Sequence, residues 1–243
     1  MEIRKRKDKS VKEFGVFPRS LPAEFVGMPP KPAKNFIPTW YKKASRYVNN
    51  SNEFVVGRDG DTNNGVKGCT SFIDLLTFGY MISTHCDIMI EKEPDGRLTM
   101  FWTSDLEPVS LRSESIYTQI PSPPGFGPFE FAIELNYGFL LPKGYSAIIC
   151  QPFNNFEINT YLSAGIIDAD SLLQPGGIPF AVKDGFTGMI PAGTPIAQVL
   201  PFKRDNWITK NIGDPFKRNQ SSIPRNYFKG YYKKNIWKKK EFN

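Results

Sequence analysis

Cysteine and histidine are scarce in this chain of 243 residues, with three of the first and one of the second. Cys69, Cys86 and Cys150 stand far apart, and only His85 is there to join them. That spacing excludes a zinc site of the usual paired kind, and no metal is expected. Each cysteine has apolar neighbours in sequence, so all three read as buried free thiols of a reducing compartment. Long apolar runs are missing too. No stretch approaches the roughly 20 apolar residues of a membrane span, so no membrane partner is expected. The opening Met-Glu-Ile-Arg-Lys-Arg-Lys has no apolar run behind it, which argues against a secretory signal. The sequence shows no internal repeat and no low-complexity tract, which argues against a solenoid or a compositionally biased linker.

Room for long helices is also lacking. The chain spreads 21 prolines and 20 glycines along its length, and a proline inside a helix removes a hydrogen bond and clashes with the preceding turn. Aromatic residues make up 14% and favour strands instead. With 40% hydrophobic residues there is enough apolar surface for one large core.

What is present divides the chain into three. Residues 1–50 form a proline-rich, basic N-terminal arm, with a short helix expected after Pro38 in "IPTWYKKASRYV", where Trp40, Tyr41 and Tyr47 would dock on the body. Residues 51–204 form a single β-rich core. Within it Tyr80 to Ile90 reads as one buried strand, and Pro94-Asp95-Gly96 closes a hairpin onto "LTMFWT", because Asp-Gly accepts positive φ at little cost. From Phe129 short apolar runs alternate with turns at Pro142–Tyr145, Asn154-Asn155, Asp184-Gly185 and Pro191–Thr194. That rhythm is the mark of a β-sandwich or barrel. Residues 205–243 form a C-terminal arm that keeps eight aromatics, too many for a free disordered tail. It is expected to wrap over its own body or over a neighbour.

Charge is uneven in the same way. Lys203 to Asn243 holds 12 Lys/Arg against three acids, a balance of +9 in a chain of +7, which leaves −2 for the first 202 residues. Charge placed on the arms points to an acidic partner: nucleic acid or a negative protein surface. "GYYKKNIWKKK" interleaves aromatics with lysine as single-strand binders do, making Lys233, Lys234, Trp237, Lys238, Lys239 and Lys240 the candidate contacts. Asp74 is a lone acid in the apolar run "FIDLL", read as capping a turn or pairing with an arginine. His85 with Ser83 and Asp87 has no triad spacing and reads as a satisfied core or interface histidine.

Three segments carry a resemblance. "AGIIDAD" (164–170) and "AGTPIAQVLPF" (192–202) resemble the third and fourth motifs of trimeric dUTPases, and "LPKGYSAIICQPFNN" (141–155) resembles the region of the second. In order and at matching spacing, they liken residues 129–204 to the dUTPase/dCTP-deaminase superfamily and its β-clip fold. The resemblance implies that Asp168 is the base that activates water, general-base work suited to a carboxylate within hydrogen-bond reach. It makes Asp170, Gln198, Asn154 and Asn155 the ligand-facing positions. The departures are as plain. Phe153-Asn154-Asn155 replaces an Arg-Ser-Ser, although triphosphates need cations and donors around them. Ser171 stands where the sugar-packing tyrosine is expected, and the glycine-rich arginine motif has no counterpart. "IPTWYKK" and "CTSFIDLLTFGYMISTHCDI" resemble segments of uncharacterised bacteriophage proteins of similar length, which implies a viral origin and no particular activity.

Three readings follow. In the first the chain is a non-catalytic, phage-encoded structural or assembly protein, working in the virion or the host cytoplasm. It forms homo-oligomers, such as trimers, through its arms and meets other virion proteins, with no cofactor. In the second it is a divergent nucleoside-triphosphate pyrophosphatase using Asp168, with Mg²⁺ on the phosphates and a cation beside the carboxylate. In the third it binds nucleic acid through the C-terminal arm.

Overall fold

Proline spacing sets the helices. The computed structural model describes residues 11–48, 51–57, 62–172, 176–213 and 232–243. Its α-helices are α1 (Leu21–Val26), α2 (Thr39–Lys43), α3 (Thr70–Thr77) and α4 (Glu114–Tyr117), none longer than eight residues. Ser20 caps α1 by accepting the Ala23 N–H at 3.3 Å. Helix α2 starts at Pro38, as the sequence suggested, but its cap comes from afar. The Glu157 carboxylate accepts the N–H groups of Thr39 and Trp40 at 3.1 and 3.0 Å.

Among the described residues there are fourteen strands: β1 (Gly15–Pro18), β2 (Lys31–Pro32), β3 (Tyr80–Ser83), β4 (Ile88–Lys92), β5 (Leu98–Trp102), β6 (Val109–Leu111), β7 (Phe131–Ile133), β8 (Tyr137–Leu140), β9 (Tyr145–Cys150), β10 (Thr160–Leu162), β11 (Gly165–Ile167), β12 (Ile178–Val182), β13 (Gly188–Ile190) and β14 (Pro195–Lys203). They pair antiparallel in sheets of order β11-β9-β14-β3-β2, β10-β12-β7-β6, β13-β4-β5 and β1-β8. The protein is mainly β. Among the described residues no sheet closes on itself, so the layers are those of a sandwich rather than a barrel.

Period-2 alternation builds the core. Ala147 and Ile149 of β9, Ala197 and Val199 of β14, and Ile178, Phe180 and Val182 of β12 all turn inward, at 7% exposure or less. Ile88 and Ile90 of β4 join them, while Met89 between them faces out. Strand β14 is the longest and pairs on both sides, with β9 through Gln198–Lys203 and with β3 around a bulge between Pro195 and Ala197.

The structure differs from the sequence pattern at two places. The run from Tyr80 to Ile90 is two strands in two sheets. The break at 84–87 is fixed by the 191–194 turn: the Thr84 N–H donates to the Thr194 carbonyl at 3.0 Å, the Thr84 carbonyl accepts the Gly193 N–H at 2.8 Å, Thr84 Oγ1 donates to the Pro191 carbonyl at 2.8 Å, and Asp87 accepts the Ala192 N–H at 2.7 Å. The cysteines are free thiols, but Cys69 is exposed at the start of α3 and Cys86 is half-buried; only Cys150 is buried. Burial pushes the Cys150 thiol up to about 11.

The N-terminal arm is more tightly joined than its prolines suggest. Strand β1 extends β8 in register, Val16 opposite Phe139. Phe14 stacks on Tyr80 at 3.9 Å and against Phe139 at 5.2 Å. Tyr41 and Tyr47 are buried as expected.

Gly79 joins α3 to β3 at φ +74°, and a Cβ there would fall on the Val199 carbonyl oxygen of the neighbouring β14. Neither atom can move without breaking the ladder. Gly79→Ala is expected to lower unfolding free energy by about 2 kcal/mol or more, from positive-φ strain and the clash together, as read in a urea melt.

Candidate functional site

The register of β14 against β9 decides the chemistry at Asp168. Lys203 lies opposite Tyr145, so the next residue, Arg204, emerges over the 142–145 turn, and its N–H donates to the Gly144 carbonyl at 2.9 Å. The chain after β11 turns back at 168–172, where the N–H groups of Ser171 and Leu172 both donate to the Asp168 carbonyl. The two turns bring Asp168, Asp170, Ser146 and Arg204 together.

Arg204 holds this corner. Its Nη1 donates to Asp170 Oδ1 at 2.9 Å, Ser146 Oγ at 3.1 Å, Asp168 Oδ1 at 3.2 Å and the Tyr145 carbonyl at 3.3 Å, while Nη2 pairs with Asp170 Oδ2. Asp170 also accepts the Gly144 N–H at 2.8 Å and the Ser171 hydroxyl at 3.2 Å. Its side chain is only 5% exposed, whereas that of Asp168 is 66% exposed. Ser146 Oγ donates to Asp168 Oδ1 at 2.6 Å. The Arg204 hydrogen bonds, then the Gly144 N–H, hold the Asp170 carboxyl far below the usual carboxylate range, and Asp170 in turn raises the Arg204 guanidinium. Sequence reasoning asked for a cation beside Asp168 and did not identify Arg204 as that cation. The pairing register that supplies it is not written in either local segment.

Gln198 points the other way from this corner and is fully buried. Its Nε2 donates to the carbonyls of Leu75 at 3.0 Å and Phe78 at 2.8 Å, and its Oε1 accepts the Phe153 N–H at 2.9 Å. Both amide hydrogens are thus committed to backbone, and Gln198 is a tie between α3 and the turn after β9. Asn154 takes the left-handed region at φ 54°, and its carbonyl accepts the Trp40 indole N–H at 2.9 Å. Asn155 accepts the Glu157 N–H at 3.2 Å and lines an open groove with Phe36, Pro38, Thr39 and Thr194. Of the five sequence-derived ligand positions, only Asp168 and Asp170 meet.

His85 is half-buried with both ring nitrogens occupied: Nε2 faces the Leu106 carbonyl at 3.0 Å and Ser104 Oγ at 3.2 Å, and Nδ1 faces the Asn136 amide at 2.7 Å. Burial lowers its pKa, partly offset by the Leu106 carbonyl. The cavity beside it is about 20 Å³, room for about one water molecule and no more. Among the described residues no three His, Cys, Asp or Glu side chains gather as a metal site, and no helix is long and apolar enough to cross a membrane.

The C-terminal arm has two described parts. Residues 205–213 run exposed away from β14, with Trp207, Ile208 and Ile212 at 88%, 90% and 70% exposure. Residues 237–243 return to the body. Trp237 Nε1 donates to Asp74 Oδ2 at 2.7 Å and Lys240 Nζ pairs with the same oxygen at 2.5 Å. Phe242 packs against Phe78 and Tyr80, with centroids 4.7 and 5.9 Å away, and Lys34 Nζ donates to Asn243 Oδ1 at 2.6 Å. Asp74 therefore pairs with a lysine and an indole, not with an arginine. Of the candidate tail contacts, Trp237 and Lys240 are held by Asp74 and Lys239 pairs with Glu241, while Lys233, Lys234 and Lys238 are exposed.

Against known proteins, the chain matches no family model and no curated protein sequence.

The Asp170 carboxyl is depressed in the folded state, so its contribution to stability is complete above the ordinary Asp range. That contribution is lost progressively as pH falls from the ordinary Asp range to the depressed folded value, and is gone below it. Arg204→Gln removes the main cause. The Asp170 carboxyl resonance, followed by NMR from neutral to acid pH, is expected to titrate closer to the ordinary Asp value in the variant, still held somewhat below it by the Gly144 N–H. In the wild type it is expected to remain ionised through that range.

Proposed function

We propose that this chain is a non-catalytic structural or assembly protein, built on a dUTPase-like sandwich and associating with further copies of itself through its C-terminal arm. The observation that carries the reading is the stretch after β14. It holds Trp207 and Ile208 almost wholly in solvent, and Ile212 beyond them. Burying one such side chain gains about 1.5–3 kcal/mol, and an arm that presents three is suited to a surface on another molecule. The resemblance of residues 37–43 and 69–88 to phage proteins supports a phage origin, and with it work in the virion or the host cytoplasm.

The charge at the Asp168 corner supports the non-catalytic half. Two carboxylates share one guanidinium whose donors face them, Ser146 and a backbone carbonyl. A triphosphate needs surplus positive charge, and here the carboxylates outnumber the cation. A pyrophosphatase would have to recruit Mg²⁺ and lysines from elsewhere. With Mg²⁺ and a panel of ribo- and deoxyribonucleoside triphosphates, the protein is expected to release no pyrophosphate above background. Turnover that disappears in Asp168→Asn would establish the pyrophosphatase instead.

A second reading is favoured by one feature of the docked tail: Lys233, Lys234 and Lys238, which flank Trp237 in sequence, stay exposed. That combination suits a nucleic-acid contact.

Association through the arm is checked by sedimentation equilibrium. The wild type is expected to form a discrete oligomer at micromolar concentration. Trp207→Ser with Ile208→Ser is expected to weaken it by a factor of ten or more, with the far-UV spectrum unchanged, since about 1.4 kcal/mol is tenfold. A wild type that stays monomeric at every concentration rejects the reading.

A further inference from the structure

We propose that residues 237–243 are a latch, in which the Asp74 carboxylate takes the place of a phosphate and withholds Trp237 and Lys240 from single-stranded nucleic acid. This rests on the second reading above, and adds that the binding surface is partly closed by the protein's own body.

The polar contacts of the latch meet at one oxygen. Asp74 Oδ2 accepts the Trp237 indole N–H and pairs with the Lys240 ammonium, and that ammonium lies 5.8 Å from the Trp237 ring centroid. An aromatic face beside a lysine is the pairing that a single strand uses, with a base on the ring and a phosphate on the cation. Asp74 offers the same two groups a single negative oxygen. Its side chain is 17% exposed, on α3, and that helix is fixed from behind where Gln198 binds the Leu75 and Phe78 carbonyls. The acceptor is therefore held in place, and the tail comes to it.

The other end of the latch is apolar. Phe242 lies edge-on to Phe78 and Tyr80. Exposed ion pairs contribute little individually, so the latch is a sum of small contacts that can open while the sandwich stays folded. Lys233 and Lys234 precede the latch and Lys238 is exposed within it, so all three can meet a polyanion before Lys240 and Trp237 are released. Single-stranded nucleic acid fits better than an acidic protein surface, because a nucleobase gives the freed indole a flat partner and a carboxylate does not.

Closing the latch lowers apparent affinity by the fraction of molecules that are open. If about one molecule in ten is open, full release tightens binding about tenfold. Two variants release it from opposite ends. Asp74→Asn keeps the shape of the side chain and removes its charge. Phe242→Ala leaves α3 and every charge intact, and so controls for the added positive charge of the first. Trypsin cleavage after Lys240, the lysine that Asp74 holds, reports opening, and the fluorescence anisotropy of a labelled oligothymidylate reports binding.

Both variants are expected to be cleaved faster and to bind about tenfold tighter than the wild type. Faster cleavage without tighter binding overturns the proposal, and so does cleavage unchanged in both variants. A wild type that binds as tightly as the variants removes the latch and leaves nucleic-acid binding standing. If neither the wild type nor the variants bind, both fall.

Discussion

Buried in β14, the Gln198 carboxamide has no water to turn to, so its partners must be built into the fold. It finds them in the Leu75 and Phe78 carbonyls at the end of α3 and in the Phe153 N–H after β9. Each of these backbone groups, left buried and unpaired, would cost about 1–3 kcal/mol. The strand that carries Gln198 pairs on both sides, and its Val199 carbonyl lies so close to Gly79 that only glycine fits there. With α3 held in this way, Asp74 is presented to the returning C-terminal arm. With the far end of β14 fixed against β9, Arg204 is delivered to Asp168 and Asp170. The position of Asp74 thus depends on the Gln198 side chain, and the Asp168 corner on the strand that carries it.

Local features were legible in the sequence. The Asp95-Gly96 turn closes the β4–β5 hairpin with Gly96 at φ 92°, and the Gly144 and Gly193 turns fall where the apolar runs stop. The short helix after Pro38 forms, and its Tyr41 is buried. Those signals are written within a few residues of where they act. The division between β3 and β4 was not legible, because an apolar run has the same pattern whether it stays in one sheet or passes to the next. Thr84 and Asp87 decide it through a turn more than a hundred residues away. The partners of Asp74 were hidden for the same reason: Lys240 lies 166 residues further on.

The Asp168 corner separates residue identity from residue state. The run 164–170 sets two carboxylates two residues apart, and that much is written in the sequence. Whether a carboxylate is free to take a proton depends on what else it already binds. Here Asp170 is nearly covered and held by a guanidinium, a serine hydroxyl and a backbone N–H, and Asp168 shares the same guanidinium and Ser146. Gln198 makes the same point in an apolar setting. A polar residue can matter through what it supports as readily as through what it reacts with.

Tyr80 has a further consequence, for the order of folding. Phe14 lies flat on its ring and Phe242 meets its edge, so residues near both ends of the chain converge on one side chain. The β4–β5 hairpin closes across a handful of residues, whereas the neighbouring Lys34–Asn243 contact spans 209. Chain closure over long spans is entropically costly and slow. The sheets should therefore assemble first, around a Tyr80 ring still open on its edge, and the C-terminal segment should settle last. Because that last step adds only small contacts to a finished sandwich, it should also be the first to reverse. Amide exchange in residues 237–243 would then run ahead of exchange in β14 under fully native conditions.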